Sequence, residues 1–333
     1  MLFAFYDFGY GIHFSVVLFK WICIVGHLVL ISILIYKLSS DVNYNFVFVT
    51  IPLITSFIYL LYGFLILNNI SIVSEEEGNY LLLSNNRRYI GYLVSIALSV
   101  SLWKLFFLCE NKRLWLVVSV VCSSFLFWLG GRGAFLFSLL SFWFITYLSS
   151  KFSLYLVVKT LVISMVGALI SLPISIYYWT GFGRLFCMKI DEGTSLDEVG
   201  SGRISLWKDA IELILDRPLI GSGLDSFMLH VLGKNMQPHN FVLQFLVEWG
   251  IVGMLLIIAV IIFTFTYYQI NKFNQLQILS ILVLTNIVFN GLLDGTLYHA
   301  VPLFIATLAI SALLREAQRE RFTPKQQVCQ NPN

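Results

Sequence analysis

Long apolar runs separated by polar breaks make up most of this chain. A helix needs about 17–25 apolar residues to cross a bilayer core. Runs of that order fall at roughly 14–36, 45–67, 89–109, 114–130, 134–150, 154–179, 240–268, 276–293 and 297–314, and each predicts a transmembrane helix. Most breaks are a few residues long, but 68–88 and 180–238 are longer. The pattern predicts an all-α, polytopic membrane helical bundle of about nine transmembrane helices with one long loop. It reads as a single membrane domain over 1–333, with a loop subdomain at 180–238 and a polar tail at 315–333. No internal repeat or low-complexity tract is visible.

A second periodicity lies inside the long loop. Ile204, Trp207, Ile211 and Ile214 recur at helical spacing, Ser201 is a candidate N-cap and Pro218 ends the pattern. This predicts an amphipathic helix lying on the membrane or against the bundle.

Composition agrees with a lipid-embedded chain. The 333 residues are 58% hydrophobic and 12% charged, with mean hydropathy +0.84. The charged fraction is roughly half that of soluble domains. The net charge of +3 comes with no basic stripe, so no nucleic-acid partner is expected; membrane lipids are. The five cysteines (Cys23, Cys109, Cys122, Cys187, Cys329) are scattered, with no CxxC or Cys/His cluster. No metal and no cofactor is expected. The first ten residues lack the basic start and cleavage site of a signal peptide.

Basic residues set the orientation. Arg315, Arg319, Arg321 and Lys325 place the tail in the cytoplasm. Counting back puts Lys272, Lys151, Lys112-Arg113 and Lys37 on the same side. The breaks at 68–88, 130–133 and 180–238, with Glu75-Glu76-Glu77, fall outside, and so does the N-terminus.

Candidate chemistry collects on that outer side. Arg132 lies in Leu129-Gly130-Gly131-Arg132-Gly133-Ala134, where the glycines let the backbone turn and leave room for a ligand. It is either a functional group or an arginine reaching for headgroups. Arg203 falls in the first turn of the amphipathic helix, where a cation opposes the helix dipole unless an anion joins it. The other reading is a solvated arginine. Arg87 and Arg88 close the other long break and add substrate-binding candidates. Gly221-Ser222-Gly223 is too short to mark a nucleotide loop.

His239 opens the seventh run and can accept a proton at neutral pH. Asn240 can bond a sugar or orient that histidine; alternatively the pair only caps a helix. Gly250 and Gly253 read as packing residues. Asp294, with His299 nearby, can pair with an arginine or orient His239, or simply occupy a turn. Asp191-Glu192 and Asp197-Glu198 read as a solvated acidic loop. Two arginines can clamp a diphosphate, and a histidine can activate a hydroxyl.

These residues resemble the O-antigen ligase and O-antigen polymerase superfamily of bacterial inner membranes. Its ligases carry His-Asn, nine residues, then GxxG; here His239-Asn240 is followed after nine residues by Gly250-Ile-Val-Gly253. Met254-Leu255 stand where the family usually has Thr-Thr, which counts toward polymerase. Gly-Arg-Gly-Ala at Arg132 is similar to the family's Ser-Arg-Gly-Ala. The run SGRISLWKDAIELILDRPLIGSGLDSF is similar to its GR…W…A…P..G.G element. Asp294 stands where an acidic residue often precedes the last span.

The resemblance implies a metal-independent, inverting glycosyltransferase whose active face is periplasmic. Its donor would be a glycan on undecaprenyl diphosphate. Its acceptor would be a lipid A–core sugar in a ligase, or the next repeat unit in a polymerase. Arg132 and Arg203 would bind the diphosphate, His239 would deprotonate the acceptor hydroxyl, and Asp294 would orient one of these groups. Relatives carry more spans before the long loop, which together with the outer N-terminus suggests a shortened or internally started chain. A transporter or flippase is the competing class, resting on Lys104 and Lys159 in or near spans. A scaffold without chemistry is the third.

Overall fold

The computed structural model describes residues 11–36, 43–70, 72, 81–84, 86–108, 111–178, 202–230, 237–268 and 273–322. Lys37, the Glu75–Glu77 triplet, both acidic pairs, Ser201, Lys272 and Lys325 lie outside the described residues, as does 180–201 of the long loop.

All nine predicted runs are helices: α1 (Gly11–Tyr36), α2 (Tyr44–Leu67), α3 (Arg87–Phe107), α4 (Lys112–Leu129), α5 (Arg132–Leu148), α6 (Leu154–Tyr178), α9 (Phe241–Tyr268), α10 (Gln275–Gly291) and α11 (Ala300–Phe322). In the long loop lie α7 (Arg203–Asp216) and the short α8 (Ser226–His230). Among the described residues, six helices are long and apolar enough to cross a membrane: α2, α3, α4 and most of α6, α9 and α11. The other three, α5, α10 and Trp21–Leu34 within α1, are apolar but shorter. The described residues form a helical bundle compatible with a multi-pass membrane protein.

The centre of the bundle is α3, buried along most of its length against α2, α4, α5 and α10. Lipid offers apolar side chains no incentive to leave it, so such helices are joined by close packing and hydrogen bonds. Small polar residues supply both. Ser95 Oγ donates to the Ala134 carbonyl at 2.8 Å. Ser99 Oγ donates to the Ser138 carbonyl at 2.9 Å, and Asn286 Nδ2 donates to Ser99 Oγ at 2.8 Å. Asn290 Nδ2 donates to Ser95 Oγ at 3.1 Å. This ladder fixes the starts of α3 and α5 to the end of α10.

The predicted ninth run, 297–314, is shifted. A 3-10 turn at Thr296–Tyr298 precedes α11, which continues to Phe322. Pro302 is tolerated in the first turn, where its missing N–H has no partner to lose. Beyond 314, residues with high helix propensity carry the helix on, supported by an Arg319–Glu316 contact of 3.2 Å.

Two expectations for the amphipathic helix need correction. Its N-cap is Gly202, at φ +75°, rather than Ser201. Its buried residues are Leu206 and Ala210, which pack on Phe227 and Val247 with Leu213, Ile214 and Leu243 partly buried beside them. Ile211, expected in the stripe, is exposed. Both stripes have helical spacing, and only the partner helix chooses between them.

That partner, α9, is broken at Gly250 (φ 63°, ψ −169°). The segment Pro218–Gly223 threads the break. Ile251 and Val252 donate their N–H groups to the carbonyls of Pro218 (2.9 Å) and Leu219 (3.0 Å). Ser222 and Gly223 donate to the carbonyls of Val247 (2.7 Å) and Glu248 (3.1 Å). The end of one half-helix and the start of the next are thus satisfied by one loop, as burial in lipid demands. A Cβ on Gly250 would lie 2.4 Å from the Leu219 oxygen, and one on Gly221 would lie 2.6 Å from Glu248 and Trp249 backbone. The packing role read for Gly250 is therefore an approach of backbone to backbone.

Candidate functional site

Three helices begin at one end of the bundle, each with arginine as its first residue: Arg87 on α3, Arg132 on α5 and Arg203 on α7. Arg88 follows Arg87. Local sequence sets each start. Asn86 caps α3, its Oδ1 accepting from Arg88 N at 2.9 Å. Gly130, at φ +65°, ends α4, and Gly131 starts α5 without a side chain in the way. Gly202 starts α7.

These starts converge on a cavity of about 180 Å³ lined by Arg87, Arg88, Arg132, Arg203, Gly130–Gly133, Tyr92, Asn290 and Asp294. Each helix start presents partly positive, unsatisfied N–H groups. A cation at that position costs about 0.3–1 kcal/mol where an anion would gain as much. Three such starts on one cavity are favourable when an anion lies between them. Burial lowers the pKa of Arg203; Asp294 counters this, and Arg88 and Arg132 add to it. A guanidinium stays protonated regardless, so the crowding is stored as positive potential.

Asp294 joins this cavity to His239. Its Oδ1 lies 3.0 Å from His239 Nδ1 and accepts from Gly295 N at 2.9 Å. Burial alone would raise its pKa. The hydrogen bond from His239 and the charge of Arg88 outweigh burial and hold the carboxyl well below the usual range. An ionised carboxylate only accepts, so Nδ1 carries the proton of the pair. In the neutral ring, Nε2 then keeps its lone pair and can take a proton.

The turn carrying His239, at φ +51°, is held on every side. Trp207 Nε1 donates to the Pro238 carbonyl at 2.9 Å. Gln237 Nε2 donates to Asp225 Oδ1 at 2.8 Å. Asp225 N and Gln244 Nε2 donate in turn to Glu248 Oε1 at 3.2 and 3.1 Å. Asn240 Oδ1 caps α9 by accepting from Val242 N (2.9 Å) and Leu243 N (3.1 Å). Its Nδ2 donates to the Leu292 carbonyl at 3.0 Å.

The structure thus brings Arg87, Arg88, Arg132, Arg203 and Asp294 onto one cavity, with His239 attached through Asp294. The Asn240 amide is taken up by the cap and by Leu292. Sequence reasoning missed Tyr92 and Asn290 in the lining, and Gln244 and Glu248 behind the turn. The last two carried a signal: they are polar residues one turn apart inside an apolar run. Lys104 lies at the opposite end of α3, donating to Asn45 Oδ1 at 2.6 Å. Lys159 sits over the Tyr155 ring at 4.2 Å.

Known proteins resemble the stretch of chain that carries much of this site. Residues 117–258 match the family model described as O-Antigen ligase, a span that holds Arg132, Arg203, His239, Asn240 and the Gly250 break. A curated O-antigen ligase of Pseudomonas aeruginosa is 32% identical over 105 residues, covering 31% of this chain and 26% of that protein. The chain therefore matches about a quarter of that relative's length. No solved structure matches. By its motifs and by these matches, the segment 117–258 is similar to the O-antigen ligases.

Proposed function

We propose that this chain is a glycosyltransferase of lipopolysaccharide assembly, moving a glycan from undecaprenyl diphosphate to a sugar hydroxyl of lipid A–core at the periplasmic face of the bacterial inner membrane. The observation that carries this reading is the cavity with an arginine at each of three helix starts, joined through Asp294 to the His239 imidazole. The arginines bind the diphosphate and stabilise its charge as it leaves. His239 takes the proton of the acceptor hydroxyl, held in its tautomer by Asp294. Attack from the face opposite the leaving diphosphate inverts the anomeric centre. The diphosphate is neutralised by guanidiniums, so the reading requires no metal. Asn240 enters as the residue that sets the His239 turn.

Met254-Leu255 after the GxxG favour a second reading, a polymerase joining lipid-linked repeat units. Lipopolysaccharide from a strain lacking the gene separates the two on a gel. Loss of all O-antigen from the core means ligase. Retention of core bearing a single repeat means polymerase. An unchanged ladder contradicts both.

A further inference from the structure

We infer that Tyr89 is a stacking platform for the sugar joined directly to the diphosphate, an inference that rests on the transfer reading above. Tyr89 follows Arg88 in the first turn of α3. Its ring lies 4.4 Å from that of His299, which stacks on Tyr92 at 5.6 Å and 25°. Tyr89 and Tyr92 are themselves 6.4 Å apart. The three rings form a wall from the cavity lining, where Tyr92 is buried, out to the surface, where Tyr89 is 39% exposed.

Size assigns the platform its occupant. A cavity of about 180 Å³ is below the 300–1,000 Å³ of whole small-molecule sites. It suits the diphosphate, and what the diphosphate carries must lie at the rim. A pyranose shows a face of C–H groups that packs on an aromatic ring, while its hydroxyls bond to polar edges. Tyr89 offers the ring, and Arg88 and His299 offer the edges. A tyrosine serving only as an interfacial anchor would need neither the stacked histidine nor the continuous wall to the cavity.

The test is binding to purified protein in nanodiscs, with two probes: a polyprenyl diphosphate, and the same lipid carrying one hexose on its diphosphate. Tyr89→Ala is expected to weaken the hexose-bearing lipid about three- to tenfold while leaving the bare lipid within about twofold. Tyr89→Phe and Tyr89→Trp should bind both lipids as wild type does. A Tyr89→Ala protein that binds both lipids normally, or loses both equally, overturns the platform. Wild-type protein that binds neither lipid refutes the transfer reading itself, and the platform with it.

Discussion

Arginine at the first residue of a helix is a poor choice for stability alone, because the cation meets the positive end of the dipole. Arg87, Arg132 and Arg203 all occupy that position around one cavity. If their task is to grip a diphosphate with two parallel bonds each, charge alone will not suffice. Arg132→Lys and Arg203→Lys should each lower transfer about tenfold or more while the protein remains inserted; donor-dependent rates in proteoliposomes would show it. Asp294→Asn replaces the acceptor-only carboxylate beside His239 Nδ1 with a neutral amide that can also donate, and should cost about a hundredfold in rate with little change in donor binding. Because the folded-state pKa of Asp294 is depressed, its stabilising effect is complete above its unfolded pKa of about 4 and is lost as pH falls below that. The melting-temperature margin of wild type over Asp294→Asn should therefore hold from pH 8 to pH 5 and shrink only under stronger acid.

Among elements, the broken helix matters most to the site. The threading of Pro218–Gly223 through α9 joins the helix that begins with Arg203 to the one that begins beside His239. Gly250→Ala imposes a left-handed backbone on alanine and places its Cβ against Leu219, so a loss of about 1–3 kcal/mol or more is expected, read as a lower melting temperature. Trp207→Phe removes one bond to Pro238 and should cost only about 1 kcal/mol, yet reduce transfer by loosening the His239 turn. All nine apolar runs were legible as helices, because lipid leaves an apolar chain few alternatives. The break was not legible: Gly250 stands inside the single run 240–268, and nothing local shows that a distant loop will enter there. Ile211 failed for a related reason, since two stripes of α7 are equally periodic. At the site, Arg132, His239 and Asp294 stood out as polar residues at span ends and Arg203 as a cation in the first turn of the loop helix, whereas Tyr92 and Asn290 lie inside helices and join the cavity only through packing.

For the whole molecule, counting basic residues placed four separate breaks on one side, and the structure brings residues from all four to one end of the bundle. Which membrane face that end occupies is open to direct test. In a cysteine-free background, Asp216→Cys, near the cavity end, should react with an impermeant thiol reagent in cells whose outer membrane alone is permeable. Lys112→Cys, at the start of α4 just past the far end of α3, should react only after the inner membrane is opened. The reverse pattern would invert the proposed orientation. The second half of α9, Ile251–Tyr268, is about 27 Å long at 1.5 Å per residue, close to the thickness of a bilayer core. On that reading the Gly250 break falls near one boundary of the bilayer core, on the side that leads to His239.

The central claim is that His239 takes a proton from the acceptor in this setting. The most direct measurement is the lipopolysaccharide ladder of a null strain complemented with His239→Ala, at membrane expression matched to wild type. Loss of the ladder with the protein still inserted is the predicted result. A ladder unchanged from wild type would reduce His239-Asn240 to a helix cap and contradict the mechanism at its centre.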